Sequence, residues 1–220
     1  MLNFSASEEN YLKTIYHLQT KDDNVTTNEL AEKLQARPAS ITDMMKKLKT
    51  RKLVNYQPYQ GFRLTPEGKR VALGIIRRHR LWEYFLAEKL NFNWDEVHEV
   101  AEQLEHVSSK KLIDKLDEFL EFPRFDPHGD PIPDTYGRIE TGKQVCLTEL
   151  PLNKPAKISH ITDQSALLLE HLHEKKINIG TLVVVKRKFS YDDSLEIKLD
   201  NKHVITISDQ LAKNIFVKHG

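Results

Sequence analysis

The sequence predicts a mainly α-helical chain with small β parts: an N-terminal winged helix-turn-helix, a helical middle and a C-terminal β-barrel. Three observations carry that reading. Apolar residues recur at helical spacing as far as about Glu121, and two capping boxes mark helix starts. A hairpin pattern follows the third helix directly. Beyond Val145 the pattern changes to short alternating strands.

Each element has its own signal. Ser5-x-x-Glu8 opens a helix from Ala6 to about Gln19, with Tyr11, Leu12, Ile15 and Leu18 inward. Thr26-x-x-Glu29 opens a short second helix with Leu30 and Leu34 inward. Gln35-Ala36-Arg37 is a tight connection, and Pro38 suits a first helical position. The third helix turns Ile41, Met44, Met45 and Leu48 inward. Two short helices joined by three residues form a helix-turn-helix. Outward near the start of the second of them lie Arg37, Pro38, Ala39, Ser40, Thr42 and Asp43, with Lys46 and Lys47 behind. Small polar groups suit base edges, and cations suit phosphates. Leu53–Gln57 and Phe62–Thr65 make the wing, turning at Gly61, with Arg63 available to the DNA backbone.

A long helix then runs from Pro66 to about Leu90. Its second half, LWEYFLAEKL, is more apolar than one small domain needs and predicts a dimer interface. A further helix from Ser108 to about Glu121 has Leu112, Ile113, Leu116, Phe119 and Leu120 inward. PRFDPHGDPIP, residues 123–133, holds four of the nine prolines and reads as an ordered loop or boundary. A short helix within Thr162–Glu174 precedes TLVVVKR and the hairpin SLEIKLDNKHVITI, which turns at Asp200-Asn201.

The net charge is only +1, but the charges are segregated. Met44 to Arg80 contains eleven Lys or Arg and one acid, Glu67; Leu81 to Ser109 contains seven acids and one base, Lys89. A basic module is fused to an acidic one. The single cysteine, Cys146, excludes a disulfide framework and a thiolate cluster. The N-terminus lacks the pattern of a signal peptide, and no apolar run is long enough to span a bilayer, so a cytoplasmic location is expected.

The stretch WDEVHEVAEQLEH, Trp94 to His106, organises the chain. As a helix it places Val97, Val100, Ala101, Leu104 and Val107 on a core-facing stripe. His98, Glu102, Glu105 and His106 form a second arc beside it. Stacked carboxylates destabilise a helix unless something compensates. A divalent cation would do so, since such ligands suit Mn, Fe, Co, Ni or Zn. His79 and Glu83, one turn apart on the preceding helix, become candidate ligands, as do Asp126 and His128 in the proline-rich loop. Two rivals stand beside this reading: a metal-independent winged-helix regulator whose acidic face is structural, and a His/Glu metallohydrolase. The basic module argues against the hydrolase.

The segments ENYLKTIYHL, ASITDMMKKL, GFRLTPEGK, RRHRLWEYFL, EVHEVAEQLEHVSS and HGDPIP together resemble the diphtheria-toxin-repressor and manganese-transport-regulator family of metal-dependent repressors. The resemblance implies a homodimer that binds a palindromic double-stranded operator when loaded with Mn²⁺ or Fe²⁺, with Zn²⁺ able to bind in vitro, and that controls metal uptake. It implies that Glu102, Glu105 and His106, completed by Asn10, form the activating site, and that His79, Glu83 and His98 form an ancillary one. Asp126, His128, Asp163 and Gln164 are its candidate further ligands. Iron-type members carry sulfur where this chain has Glu102, and manganese-type members carry acids where it has Asn10 and Lys13. The implied domains are 1–70 (winged helix-turn-helix), 71–138 (dimerisation and metal binding) and 145–220 (SH3-like, FeoA-like).

Overall fold

A computed structural model describes residues 4–19, 24–57, 61–93, 96–107, 109–139, 144–163 and 165–218, without the side chains of Gln57, Val107 and Ala166. Trp94, Asp95 and Gln164 lie outside the described residues. The chain forms two compact units. The first comprises 1–79, 102–115 and 133–139; the second comprises 80–101, 116–132 and 140–220.

The first unit is built on local signals. Ser5 caps α1 (Ala6–Leu18): its Oγ accepts from the Glu8 amide at 3.3 Å, and Glu8 Oε2 accepts from the Ser5 amide at 2.9 Å. Thr26 and Glu29 repeat the device at α2 (Thr27–Lys33). Pro38 is the first residue of α3 (Pro38–Thr50), where a missing amide leaves no hydrogen bond unmade. β1 (Val54–Gln57) and β2 (Gly61–Leu64) form the antiparallel wing, in register from Val54 opposite Leu64 to Gln57 opposite Gly61. Gly61 therefore starts a strand and is not the turn that its identity predicts. Its φ of +84° and the Val25 carbonyl, 2.6 Å from where a Cβ would lie, demand glycine there. Val25 exchanges two backbone hydrogen bonds with Phe62, of 2.9 and 2.8 Å, and extends the wing by one rung.

These elements close over Leu12, Ile15, Leu30, Ile41, Met45, Leu48 and Phe62, all buried. Met44 and Leu34, expected inward, are only half-buried. α4 (Pro66–Leu90), α5 (Val97–Val107) and α6 (Lys110–Phe119) each contribute residues to both units.

In the second unit a six-stranded antiparallel sheet runs in the order β3-β8-β4-β5-β6-β7. Its strands are β3 (Val145–Cys146), β4 (Pro155–Ile161), β5 (Leu182–Lys188), β6 (Leu195–Leu199), β7 (His203–Ile207) and β8 (Ile215–Lys218). Two helices join them, α7 (Ala166–Glu174) and α8 (Asp209–Ala212). The β6–β7 turn has Asp200 and Asn201 at φ 44° and 58°, the doubly positive pair that a tight hairpin needs. Ile158, Ile161, Val183, Val185, Ile197, Ile215 and Val217 fill its core.

Two expectations are corrected at α6. Leu112 is 47% and Phe119 62% exposed. The apolar arc is wider than one chain can cover. In the second unit Phe119 lies with Leu90, Phe92 and Phe122 among the exposed large apolar side chains, which is the composition of a subunit interface. No helix among the described residues is long and apolar enough to cross a membrane.

Glu8 ties α1 to α3. Its side chain is buried; Arg51 Nη1 donates to Glu8 Oε1 at 2.6 Å, and Lys47 Nζ lies 3.4 Å from the same oxygen. Burial pushes this carboxyl up, but the Ser5 amide and Arg51 pull it further down, to about 2 from 4.5. The folded value lies below the unfolded one. The contribution is therefore complete above about pH 4.5 and lost as pH falls through about 2. Glu8→Gln should cost about 3 kcal/mol at pH 7 in urea denaturation. The gap from wild type should narrow steadily below pH 4.5; a gap that is constant with pH would contradict the assignment.

Candidate metal centres and nucleic-acid interface

The first centre lies in the first unit, where α1 presents successive side chains. Glu9 Oε1 accepts from Arg78 Nη2 at 2.6 Å, and Glu9 Oε2 lies 2.7 Å from His106 Nδ1. Facing a carboxylate, which can only accept, Nδ1 carries the ring proton. That fixes the neutral tautomer and leaves Nε2 with a lone pair, as a metal ligand requires. Nε2 lies 3.5 Å from Glu105 Oε1, an acceptor facing an acceptor.

Glu105 is fully buried, although the helical pattern puts it at the edge of the core. His79 Nδ1 lies 2.7 Å from its Oε2 and 3.7 Å from Glu102 Oε2. Lys13 Nζ donates to Glu102 Oε2 at 2.5 Å and to Glu105 Oε1 at 2.7 Å. Burial pushes the Glu105 carboxyl up; His79 and Lys13 more than reverse this and hold it below the usual carboxylate range. Ligand atoms of His79, Glu102 and Glu105 all lie within 4.8 Å of one another. Asn10 Oδ1 and His106 Nε2 are buried without a hydrogen-bond partner among the described residues. Buried acceptors without donors are costly, and a cation is what they lack. Two carboxylates, one imidazole lone pair and one amide oxygen fit a divalent transition ion.

The second centre lies in the second unit. Glu83, Asp126 and His128 are all buried, with ligand atoms within 4.8 Å of one another. His98, on the same unit's part of α5, places Nδ1 3.2 Å from Glu83 Oε1. The proline-rich loop earns its composition here. Asp126 Oδ1 accepts from the amides of His128 and Asp130, each at 2.9 Å. Arg80 clamps the loop, donating to the Pro131 carbonyl at 2.6 Å and lying 3.0 Å from Asp130 and 3.5 Å from Asp126. The Ile161 amide donates to the His128 carbonyl at 3.1 Å, which ties the loop to β4. Burial, then the carboxylates of Glu83 and Asp130, push Asp126 well above its usual range against the pull of Arg80. A buried carboxyl in this state takes up a proton or a metal ion.

The structure thus distributes the expected ligands. Glu102, Glu105, His106, His79 and Asn10 lie in the first unit, with His79 against Glu105. Glu83, His98, Asp126 and His128 lie in the second. Asp163 is exposed, accepts from the Ser165 amide at 2.9 Å at the entry to α7, and belongs to neither group. Sequence reasoning missed Glu9, which orients His106, and Arg80, which orders the loop. The doubled acid Glu8-Glu9 behind a capping serine was the available signal, since a capping box uses only one.

The nucleic-acid face follows the expectation. Arg37, Pro38, Ala39, Ser40, Asp43, Lys46, Lys47 and Arg63 are exposed, and Thr42 is half-buried, donating to the Pro38 carbonyl at 3.1 Å. Lys46 pairs locally with Asp43 at 3.2 Å.

A winged helix-turn-helix with buried carboxylate–histidine clusters defines a metal-responsive DNA-binding regulator. Residues 3–62 match the family model described as iron dependent repressor, N-terminal DNA binding domain. Residues 65–134 match its metal binding and dimerisation domain, and 145–219 the FeoA domain. The chain is 30% identical to the diphtheria toxin repressor of Corynebacterium glutamicum over 194 residues, 83% of this chain and 85% of that protein. It is 29% identical to the iron-dependent repressor IdeR of Mycobacterium leprae over 176 residues, 73% and 75% of the two chains. Among solved structures it is similar to a manganese-dependent transcriptional repressor in complex with manganese, at 30% identity and a TM-score of 0.86 over 97% of this chain and 100% of the other. ScaR with bound Cd²⁺ follows at 28% identity and 0.79, over 97% and 99%. The chain belongs to the iron-dependent repressor family: metal-dependent, dimeric DNA-binding transcriptional repressors rather than enzymes. That membership sets aside the hydrolase.

Gly129 tests the second centre's architecture. Its φ is +84°, and a Cβ there would lie 1.9 Å from the Ser159 carbonyl oxygen. Gly129→Ala should destabilise the protein by about 2–3 kcal/mol. The loss should be accompanied by weaker metal binding at Glu83, Asp126 and His128, read by calorimetric titration. Unchanged thermal unfolding would show that the loop does not hold this conformation.

Proposed function

We propose that this chain is a cytoplasmic, homodimeric, metal-activated repressor of metal-ion uptake genes. In this reading residues 1–70 read the operator, 71–138 dimerise and bind metal, and 145–220 form an SH3-like FeoA domain. Asn10, Glu102, Glu105 and His106 hold the activating ion, and Glu83, Asp126 and His128, joined by His98, form the ancillary centre. The observation that carries the reading is the cluster of buried acceptors around Glu105, with Asn10 Oδ1 and His106 Nε2 lacking donors among the described residues.

A bound divalent ion supplies positive charge to these donors. The rest is done by α1. One face of this helix carries Glu9 and Asn10 to the centre, with His106 held by Glu9. Glu8, on the same helix, holds Arg51 and Lys47 of α3. A rigid helix that serves both makes the position of the recognition helix depend on how well the donors around Glu105 are satisfied. A dimer must place two such helices at one half-site separation, so fixing them raises operator affinity. Glu102 and Asn10 offer oxygen where sulfur would favour thiophilic metals, so Mn²⁺ and Fe²⁺ both activate, Mn²⁺ slightly better. Zn²⁺ can bind more tightly whatever the cell uses, because raw affinity follows the Irving–Williams order.

Operator binding by the full chain, titrated with Mn²⁺ and after chelation, tests this. Metal should tighten binding by about ten- to a hundredfold. His106→Ala should abolish that gain and leave weak salt-sensitive binding intact. Lys46→Ala with Lys47→Ala should weaken all DNA and flatten the salt slope by about two units. Equal operator affinity with and without metal would overturn the reading and return the acidic arc to a structural role.

A further inference from the structure

Lys13 occupies a place in the first centre where a cation is expected. Its ammonium lies 2.5 Å from Glu102 Oε2 and 2.7 Å from Glu105 Oε1, with its side chain only 14% exposed. Those two carboxylates and His79 are one of the groups whose ligand atoms converge within 4.8 Å. The position that the three donors define is therefore served by a charge carried on the chain.

The charge count gives this a consequence. Glu102 and Glu105 offer two negative charges, and Lys13 already offsets one of them. Glu9 does not help, because Arg78 holds it at 2.6 Å. One divalent ion on Asn10, Glu105 and His106 leaves the group near neutrality. A second, on His79, Glu102 and Glu105, would meet the ammonium on the same two carboxylates and leave several uncompensated positive charges in a buried place. Charges taken out of water are tolerated only when paired.

We propose that Lys13 is a tethered cation standing in place of a second metal ion, so that this centre takes one divalent ion per protomer and not a carboxylate-bridged pair. The proposal rests on the reading that Asn10, Glu105 and His106 hold the activating ion. It also gives Lys13 a role without metal, as the counter-charge of a fully buried carboxylate.

Mn²⁺ counting by equilibrium dialysis, with electron paramagnetic resonance on the same samples, tests it on the full chain. Two Mn²⁺ ions bridged by a carboxylate lie within about 4 Å and couple magnetically; single ions elsewhere do not. Wild type and Lys13→Arg should show only uncoupled Mn²⁺. Lys13→Glu should bind one further ion and give an exchange-coupled signal, which His106→Ala on that background removes. Metal-free Lys13→Met should unfold at a lower temperature than metal-free wild type. A coupled pair in wild type, an unchanged ion count in Lys13→Glu, or an unchanged unfolding temperature in Lys13→Met would each overturn the proposal. Failure of the underlying reading looks different: single His106→Ala would then bind as many Mn²⁺ ions, as tightly, as wild type.

Discussion

The buried carboxylate of Glu105 is the constraint on which the first unit is built. A charged oxygen pair with no exposure is stable only beside positive charge or donors. Here the neighbours come from far along the chain: Lys13 from α1 and His79 from α4, at 2.7 Å each. An apolar side chain at this position would pack without them. The carboxylate instead makes the meeting of α1, α4 and α5 a matter of charge, and charge is what a metal ion changes. That is how a fold with an ordinary winged-helix core can respond to an ion. The apolar contacts of Leu12, Ile41, Met45 and Phe62 hold the elements together whether or not a metal is bound, whereas the contacts around Glu105 depend on which cations are present.

α1 converts that dependence into function because its residues act on two sides. Glu8 and Glu9 are adjacent, yet Glu8 pairs with α3 and Glu9 with Arg78 and His106. Adjacent helical positions point about 100° apart, so one short helix can bridge the recognition helix and the acidic helix. The second unit solves a similar problem with backbone. Asp126 accepts from two amides of its own loop, Arg80 clamps the same loop, and Gly129 lets it approach β4 closely enough for the His128 carbonyl to join the sheet edge. Each centre is thus held by groups that are not themselves ligands.

Local chemistry made most of the fold legible. Both capping boxes, the proline at the start of α3, the full span of α4 and the Asp200-Asn201 hairpin turn follow from rules that act over a few residues. β4 and β8 were not legible. Their sequences are short and mixed, and their strand character comes from neighbours far along the chain, with β4 bulged at Ile158 and His160. Helical periodicity found the ligands on α5, but it misjudged their depth. Glu105 is fully buried while Val100 and Leu104 are only half-buried, because pairing with Lys13 and His79 outweighs side-chain polarity. Lys13 itself was visible only as a departure from a family pattern. That it bridges Glu102 and Glu105 requires knowing that α1 lies against α5.

The central claim is that the ion at Glu105 and the operator act on one equilibrium through α1. Linkage makes the effect reciprocal. The most direct test is the Mn²⁺ affinity of the centre, measured by titration with and without saturating operator DNA. The account predicts that operator tightens Mn²⁺ by the same factor by which Mn²⁺ tightens operator, and that His106→Ala removes both effects together. Mn²⁺ affinity unchanged by saturating operator would contradict it.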